Sequence, residues 1–247
     1  MIITIAYKEL RSLLAMPSTW LILGGLQFIF AWFFLARLDA FLQVQAQLAQ
    51  IANAPGATLA VATPLFATLA LILMMLVPVF TMRLFAEERR NQTLVLLMTA
   101  PVAERHIVLG KFFGLMFFLT LIIADCTLMV LSLAAGTQLD SGLLLSNALG
   151  LWLLAASYAA LGLYLSSLTT QPVVAAISAL AALFGLWLVE VSAVDSDNLL
   201  RLFVPTSHFQ NFNMGLLNSA DMLYFVLFSA VFLLLTMRRV HNNRIYG

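Results

Sequence analysis

Three histidines, one cysteine and two acids set in apolar sequence are the residues of this chain best suited to bind a metal or move a proton. His106, His208 and His241 fall in loops or tails and never pair at metal-ligand spacing, which argues against a zinc-dependent intramembrane protease. No Gly-x-Ser-x-Gly elbow and no Gly-x-x-x-x-Gly-Lys-Ser/Thr phosphate loop occurs, so serine hydrolysis and ATP hydrolysis have no home here. Cys126 lies in an apolar run and reads as a small packing residue. Asp125 is the intramembrane polar residue of most interest. A carboxyl group in hydrocarbon is costly and marks either function or a hydrogen bond that holds helices together, here to Thr127, Ser132 or a neighbouring span. The second reading is the stronger, because no other buried charge stands ready to pair with it. Glu190 falls closer to the end of its apolar run and reads as solvated.

The elements that carry these residues are set by composition. Of the 247 residues 63% are hydrophobic and 9% charged, against roughly 25% charged in a soluble domain. Ser12 to Ala36 and Ser141 to Val189 hold no charge at all. Since a spanning helix needs about 20 apolar residues, spans are expected near 17–37, 62–82, 108–132, 144–167, 173–192 and 219–237. The run Ser166-Ser167-Leu168-Thr169-Thr170-Gln171-Pro172 turns the fourth span into the fifth. The expected fold class is therefore all-α: one polytopic membrane domain, residues 1–247, with six transmembrane helices. The first apolar run is too long for a signal peptide core and reads as a permanent span.

Charge placement orients the bundle. Lys8, Arg11, Arg83, Arg89, Arg90, Arg105, Lys111, Arg238, Arg239 and Arg244 sit at the two termini and in the loop between spans two and three, leaving Arg37 and Arg201 opposite. The bias of basic residues toward the cytoplasm puts both termini and that loop inside. A formal charge of +1 with no clustered basic excess argues against a nucleic-acid partner. Residues 2–14 place Ile3, Ala6, Leu10, Leu13 and Leu14 on one helical side and Thr4, Lys8 and Arg11 on another, the pattern of an amphipathic helix on the inner membrane surface. On the outer side, 39–61 reads as an extension of the first helix followed by a loop. The half-apolar stretch 193–218 reads as a short re-entrant or interfacial helix. Gly150, Ala155, Ala156, Ala159, Ala160 and Gly162 would let other helices approach the fourth span closely.

The stretch Phe85 to Phe113 stands apart. Glu87, Glu88, Arg89 and Arg90 form a charged shoulder, Leu94 to Met98 an apolar tip, and Pro101 ends it before Gly110-Lys111 leads back into the membrane. A short helix with that profile suits docking in a groove on a soluble partner.

On these residues the chain resembles the ABC-2 type permeases, in particular the short six-span group associated with gliding motility and with maturation of copper enzymes. The shared elements are Glu87-Glu88-Arg89-Arg90, Thr93-Leu94, Leu96-Leu97, Pro101-Val102, Gly110-Lys111 and the later stretch Ser207 to Phe225, with Gln92 and Val95 standing where glycine and glutamate are expected. The resemblance implies a cytoplasmic coupling helix at about 86–100, between spans two and three, that contacts a cytosolic ABC ATPase subunit. Its interface would be Glu87, Glu88, Arg89, Arg90, Thr93, Leu94, Leu96, Leu97 and Pro101. It further implies a pore shared with a second membrane subunit, as homodimer or heterodimer, in the bacterial cytoplasmic membrane. ATP and Mg²⁺ would bind the partner ATPase, and no cofactor binds this chain. An accessory protein on the outer face is compatible with the same plan. Two functions stay open on the sequence: a permease for export or lipid extrusion, and a membrane anchor that transmits ATPase motion to an outer assembly with nothing crossing.

Overall fold

The computed structural model describes residues 1–48, 56, 58–92, 103–137, 139–192 and 202–246. Among them the chain is helical throughout: α1 (Ile2–Ala15), α2 (Pro17–Leu48), α3 (Thr63–Met82), α4 (Glu104–Leu131), α5 (Ser141–Leu168), α6 (Pro172–Ser192), α7 (Pro205–Asn213) and α8 (Ser219–Tyr246). Six of these helical stretches are long and apolar enough to cross a membrane, Pro17–Gln45, Thr58–Arg90, Glu104–Ala134, Ser141–Leu168, Pro172–Ser192 and Ser219–Asn242. Each expected span is present. The extension expected after the first span runs as continuous helix to Leu48, and the short helix expected within 193–218 is α7.

Local chemistry sets the breaks. Met16 is extended and Pro17 opens α2, because proline disfavours the helical region for the residue before it and tolerates the first helical turn. The Trp20 indole donates 2.7 Å to the Leu14 carbonyl, satisfying one of the acceptors that the end of α1 leaves bare. Asp140 caps α5, its Oδ1 accepting from the backbone of Gly142 at 2.9 Å and Leu143 at 3.2 Å. Between α5 and α6, Thr169 is extended and its hydroxyl accepts 3.1 Å from the Gln171 N–H, just ahead of Pro172.

The bundle is built around α5, against which α3, α4, α6, α7 and α8 all pack. Its small residues make this geometry: Gly150 lies under Phe212 of α7, Gly162 under Thr81 of α3, and Ala155, Ala159 and Ala160 are fully buried. Cys126 is buried as a packing residue. In contrast α2 and α6 have only 17% of their most apolar windows buried, so most of their surface faces lipid or another subunit.

The carboxyl-terminal end of α3 departs from regular helix. Pro78 lies inside the helix, and Arg83–Glu87 widens into a π-helical turn before Glu88–Arg90 closes it. Within a membrane, backbone groups freed in this way must find partners in the protein. Ser166 of α5 supplies them: its hydroxyl accepts from the N–H groups of Phe85 (3.3 Å) and Ala86 (3.1 Å) and donates to the Met82 carbonyl (3.1 Å). The chain therefore continues helically from the second span to Arg90, within the first residues of the expected coupling helix. Thr93, Leu94, Leu96, Leu97 and Pro101, the remainder of the expected coupling helix, lie outside the described residues.

Helix ends at Gln92, whose φ of 56° lies in the left-handed region. This position is one where the resemblance expects glycine, and glycine is the residue without a steric penalty there. Gln92→Gly should raise stability by up to about 1 kcal/mol, read as a higher thermal midpoint in detergent. A lowered midpoint would contradict a left-handed backbone at this position.

Candidate functional site

Lys111 stands near the amino-terminal start of α4 with 1% of its side chain exposed. An ammonium group so deeply buried is tolerable only when paired and hydrogen-bonded. Its Nζ donates to Glu9 Oε1 of α1 at 3.0 Å and to Glu88 Oε1, just after the π turn, at 2.7 Å. It also lies 5.4 Å from the centroid of the Phe85 ring, in cation–π range. Lys8 approaches the same two carboxylates at 3.8 and 3.9 Å, so two acids and two bases share one cluster. Lys8 is 63% exposed and adds little, because water screens it.

The cluster needs α1 pressed onto α4, and two glycines allow this. A Cβ at Gly110 would meet Ile5 at 2.7 Å, and one at Gly114 would meet the Ala6 carbonyl at 2.8 Å and the Glu9 Cβ at 2.9 Å. The face of α1 that meets protein is therefore Ile2, Ile5, Ala6, Glu9 and Leu13, whereas Ile3 is 84% exposed. The sequence reading grouped Ile3 with Leu13 and gave Glu9 no role. Glu9 is in fact buried, and its signal in the sequence was faint: it is the sole acid in an otherwise basic amino-terminal segment.

The expected interface residues divide. Glu88 points into the protein and joins Lys111. Arg89 is half-buried and feels the charge of Arg239 on α8, while Arg90 is exposed. Glu87 and Arg90 line a recess together with Pro172. Thus two sequence elements 23 positions apart, the charged shoulder and Gly110-Lys111, are brought together as one ion pair.

Asp125 is placed differently from the expectation. Thr127 and Ser132 donate to backbone carbonyls of their own helix, and Asp125 makes no hydrogen bond or ion pair among the described residues. It is exposed on the bundle surface and lines a cavity between α2 and α4 with Gln27, whose Oε1 is buried without a partner.

Glu190 also corrects the sequence reading. It is 7% exposed, with Oε1 accepting 2.6 Å from Gln210 Nε2 and Oε2 accepting from the Thr206 hydroxyl. Nearby, Asp221 holds His208 Nδ1 at 2.6 Å and Asn211 Nδ2 at 2.9 Å. These carboxylates fix α7 at the end of the bundle opposite Lys111.

No group of three or more metal-ligating side chains occurs among the described residues. What the Lys111 cluster can do is mechanical: one ammonium ties α1, the end of α3 and the start of α4 together. Gly114→Leu should push α1 off α4 and pull Glu9 from Lys111. The expected cost is roughly 1–3 kcal/mol, seen as a lower thermal midpoint in detergent, and an unchanged midpoint would show that α1 does not pack there.

Comparison with known proteins agrees with this architecture. The model of the ABC-2 family transporter protein matches residues 3–242. No curated protein matches the chain. Matched along nearly its whole length, the chain belongs to the ABC-2 family of transporter proteins, the membrane subunits of ABC transporters.

Proposed function

We propose that this chain is the permease subunit of an ATP-driven exporter or lipid extruder, driven by a separate cytosolic ATPase that docks on the segment between α3 and α4. The observation that carries the reading is the buried Glu88–Lys111–Glu9 cluster. Glu88 immediately precedes that segment and Lys111 follows it, so the ion pair closes the loop at its base and adds α1 to the same body. A push on the loop then reaches two spans and the amino-terminal helix together, as rigid-body coupling between subunits requires. The energy of the switch comes from the partner, whose two states must differ in how they hold the loop.

Both termini and the docking segment are cytoplasmic in this reading, on the strength of the basic residues gathered there. A second membrane subunit, identical or related, would cover part of α2 and α6, whose apolar faces the chain itself leaves open. The narrower similarity to the six-span group of gliding motility and copper-enzyme maturation rests on the motif residues from Glu87 to Lys111. It keeps mechanical transmission to an outer assembly as the second reading.

Replacing Leu96 and Leu97 together by Asp tests the docking role. Two unpaired carboxylates in an apolar groove cost several kcal/mol, enough to remove a complex of ordinary affinity. The ATPase should no longer co-purify with the mutant, while the permease still inserts in the membrane. Full recovery of the ATPase with unchanged coupled turnover would overturn the assignment.

A further inference from the structure

A second polar site lies at the opposite end of the bundle. Beneath α7, between α3 and α6, is a cavity of about 360 Å³. Its polar wall is Glu190, Thr206, Gln210 and Asn213, and its aromatic wall is Trp187 and Phe209. Three features define what it would accept.

First, the carboxylate is buried and short of positive charge: both oxygens accept neutral hydrogen bonds from Gln210 and Thr206, and no cation among the described residues pairs with it. Second, Asn213 is 8% exposed and spends its amide donor on the Thr63 carbonyl at 3.1 Å, while its Oδ1 is buried with no donor facing it. A buried acceptor in that state costs free energy until a donor arrives. Third, Leu71 and Val191 on the rim are exposed, so the cavity opens sideways between two spans. The site thus offers negative charge, an unused acceptor and aromatic faces, and it requires a ligand rich in N–H donors, positively charged and attached to an apolar body. A hydrated divalent metal fits poorly, since it demands six or more oxygen ligands. An ammonium fits, being a compact point charge with several donors that aromatic faces also attract.

We propose that this cavity binds the ammonium group of an amphiphile, with Glu190 as counter-ion, Asn213 Oδ1 as the second acceptor and Trp187 against the cation. The chemistry is shared by two sources, an aminophospholipid of the outer leaflet and a transported cationic amphiphile. Only the second rests on the permease reading.

The test uses the full chain in phosphatidylglycerol nanodiscs without ATPase, with Trp20, Trp32 and Trp152 changed to Phe so that Trp187 alone emits. The probe is para-bromobenzyl(dodecyl)ammonium, which quenches on contact, and the control is the uncharged para-bromobenzyl dodecyl ether. Saturable quenching by the ammonium is expected, with only weak and non-saturating quenching by the ether. Glu190→Gln should raise the half-saturating concentration roughly tenfold or more, since a charge-assisted hydrogen bond is lost. Asn213→Asp should lower it, which keeps the test decisive if Glu190→Gln folds poorly. With phosphatidylethanolamine added to the nanodisc, a rightward shift identifies the aminolipid as occupant, and no shift identifies cargo. Both results support the ammonium site. Equal quenching by ammonium and ether, or a half-saturation that neither variant moves, overturns it. Because no ATPase is present, this failure would leave the docking experiment at Leu96 and Leu97 untouched.

Discussion

One end of this helical bundle depends on one buried ammonium. Lys111 has no route to water, so the free energy of holding it charged must come from Glu9 and Glu88. That requirement dictates the surrounding geometry. It brings α1 against α4 at the two glycines that permit contact, and it draws the end of α3 inward through the π turn that Ser166 stabilises. Removing one partner from such a cluster strands another charge, a far larger penalty than the loss of a surface contact.

The opposite end uses the same physics with the signs reversed. There the buried charges are carboxylates, Glu190 and Asp221, and neutral donors or a histidine hold α7 beneath the membrane-facing rim. Ser146 adds a bond of 2.8 Å to the Phe212 carbonyl, and Asn213 reaches the Thr63 carbonyl. A short helix at membrane depth has many unpaired backbone groups, and protein must satisfy them. Between the two ends, α5 is the common wall, with its small residues under Phe212 at one end and Thr81 at the other.

The spans were legible because hydrocarbon imposes length and neutrality on a sequence, and Ser141 to Val189 shows this without any need for tertiary information. The turn at Pro172 and the outer helix α7 were legible for the same local reasons. The partners of individual charges were not. Glu9, Glu88 and Lys111 come from three segments, and nothing in a local pattern says which carboxylate meets which ammonium. The glycines at 110 and 114 carry the clue in retrospect, because a small residue one turn from another marks a close helix approach but does not name the helix. Glu190 was misread for a related reason: its position near a span end suggested water, and only the fold of α7 over it shows burial. Asp125 shows the converse, since its depth in the span suggested an internal bond that the packing of α4 does not provide.

The joint itself is tested most directly by a double-mutant cycle on Glu88 and Lys111 in the assembled permease–ATPase complex, reading ATP turnover that depends on the membrane subunit. Lys111→Met and Glu88→Gln should each impair coupled turnover, and the double variant should lose much less than the product of the two single losses. The expected interaction energy is at least about 1 kcal/mol. Strict additivity, with each change acting as though the other residue were elsewhere, would contradict a shared ion pair at the base of the docking loop.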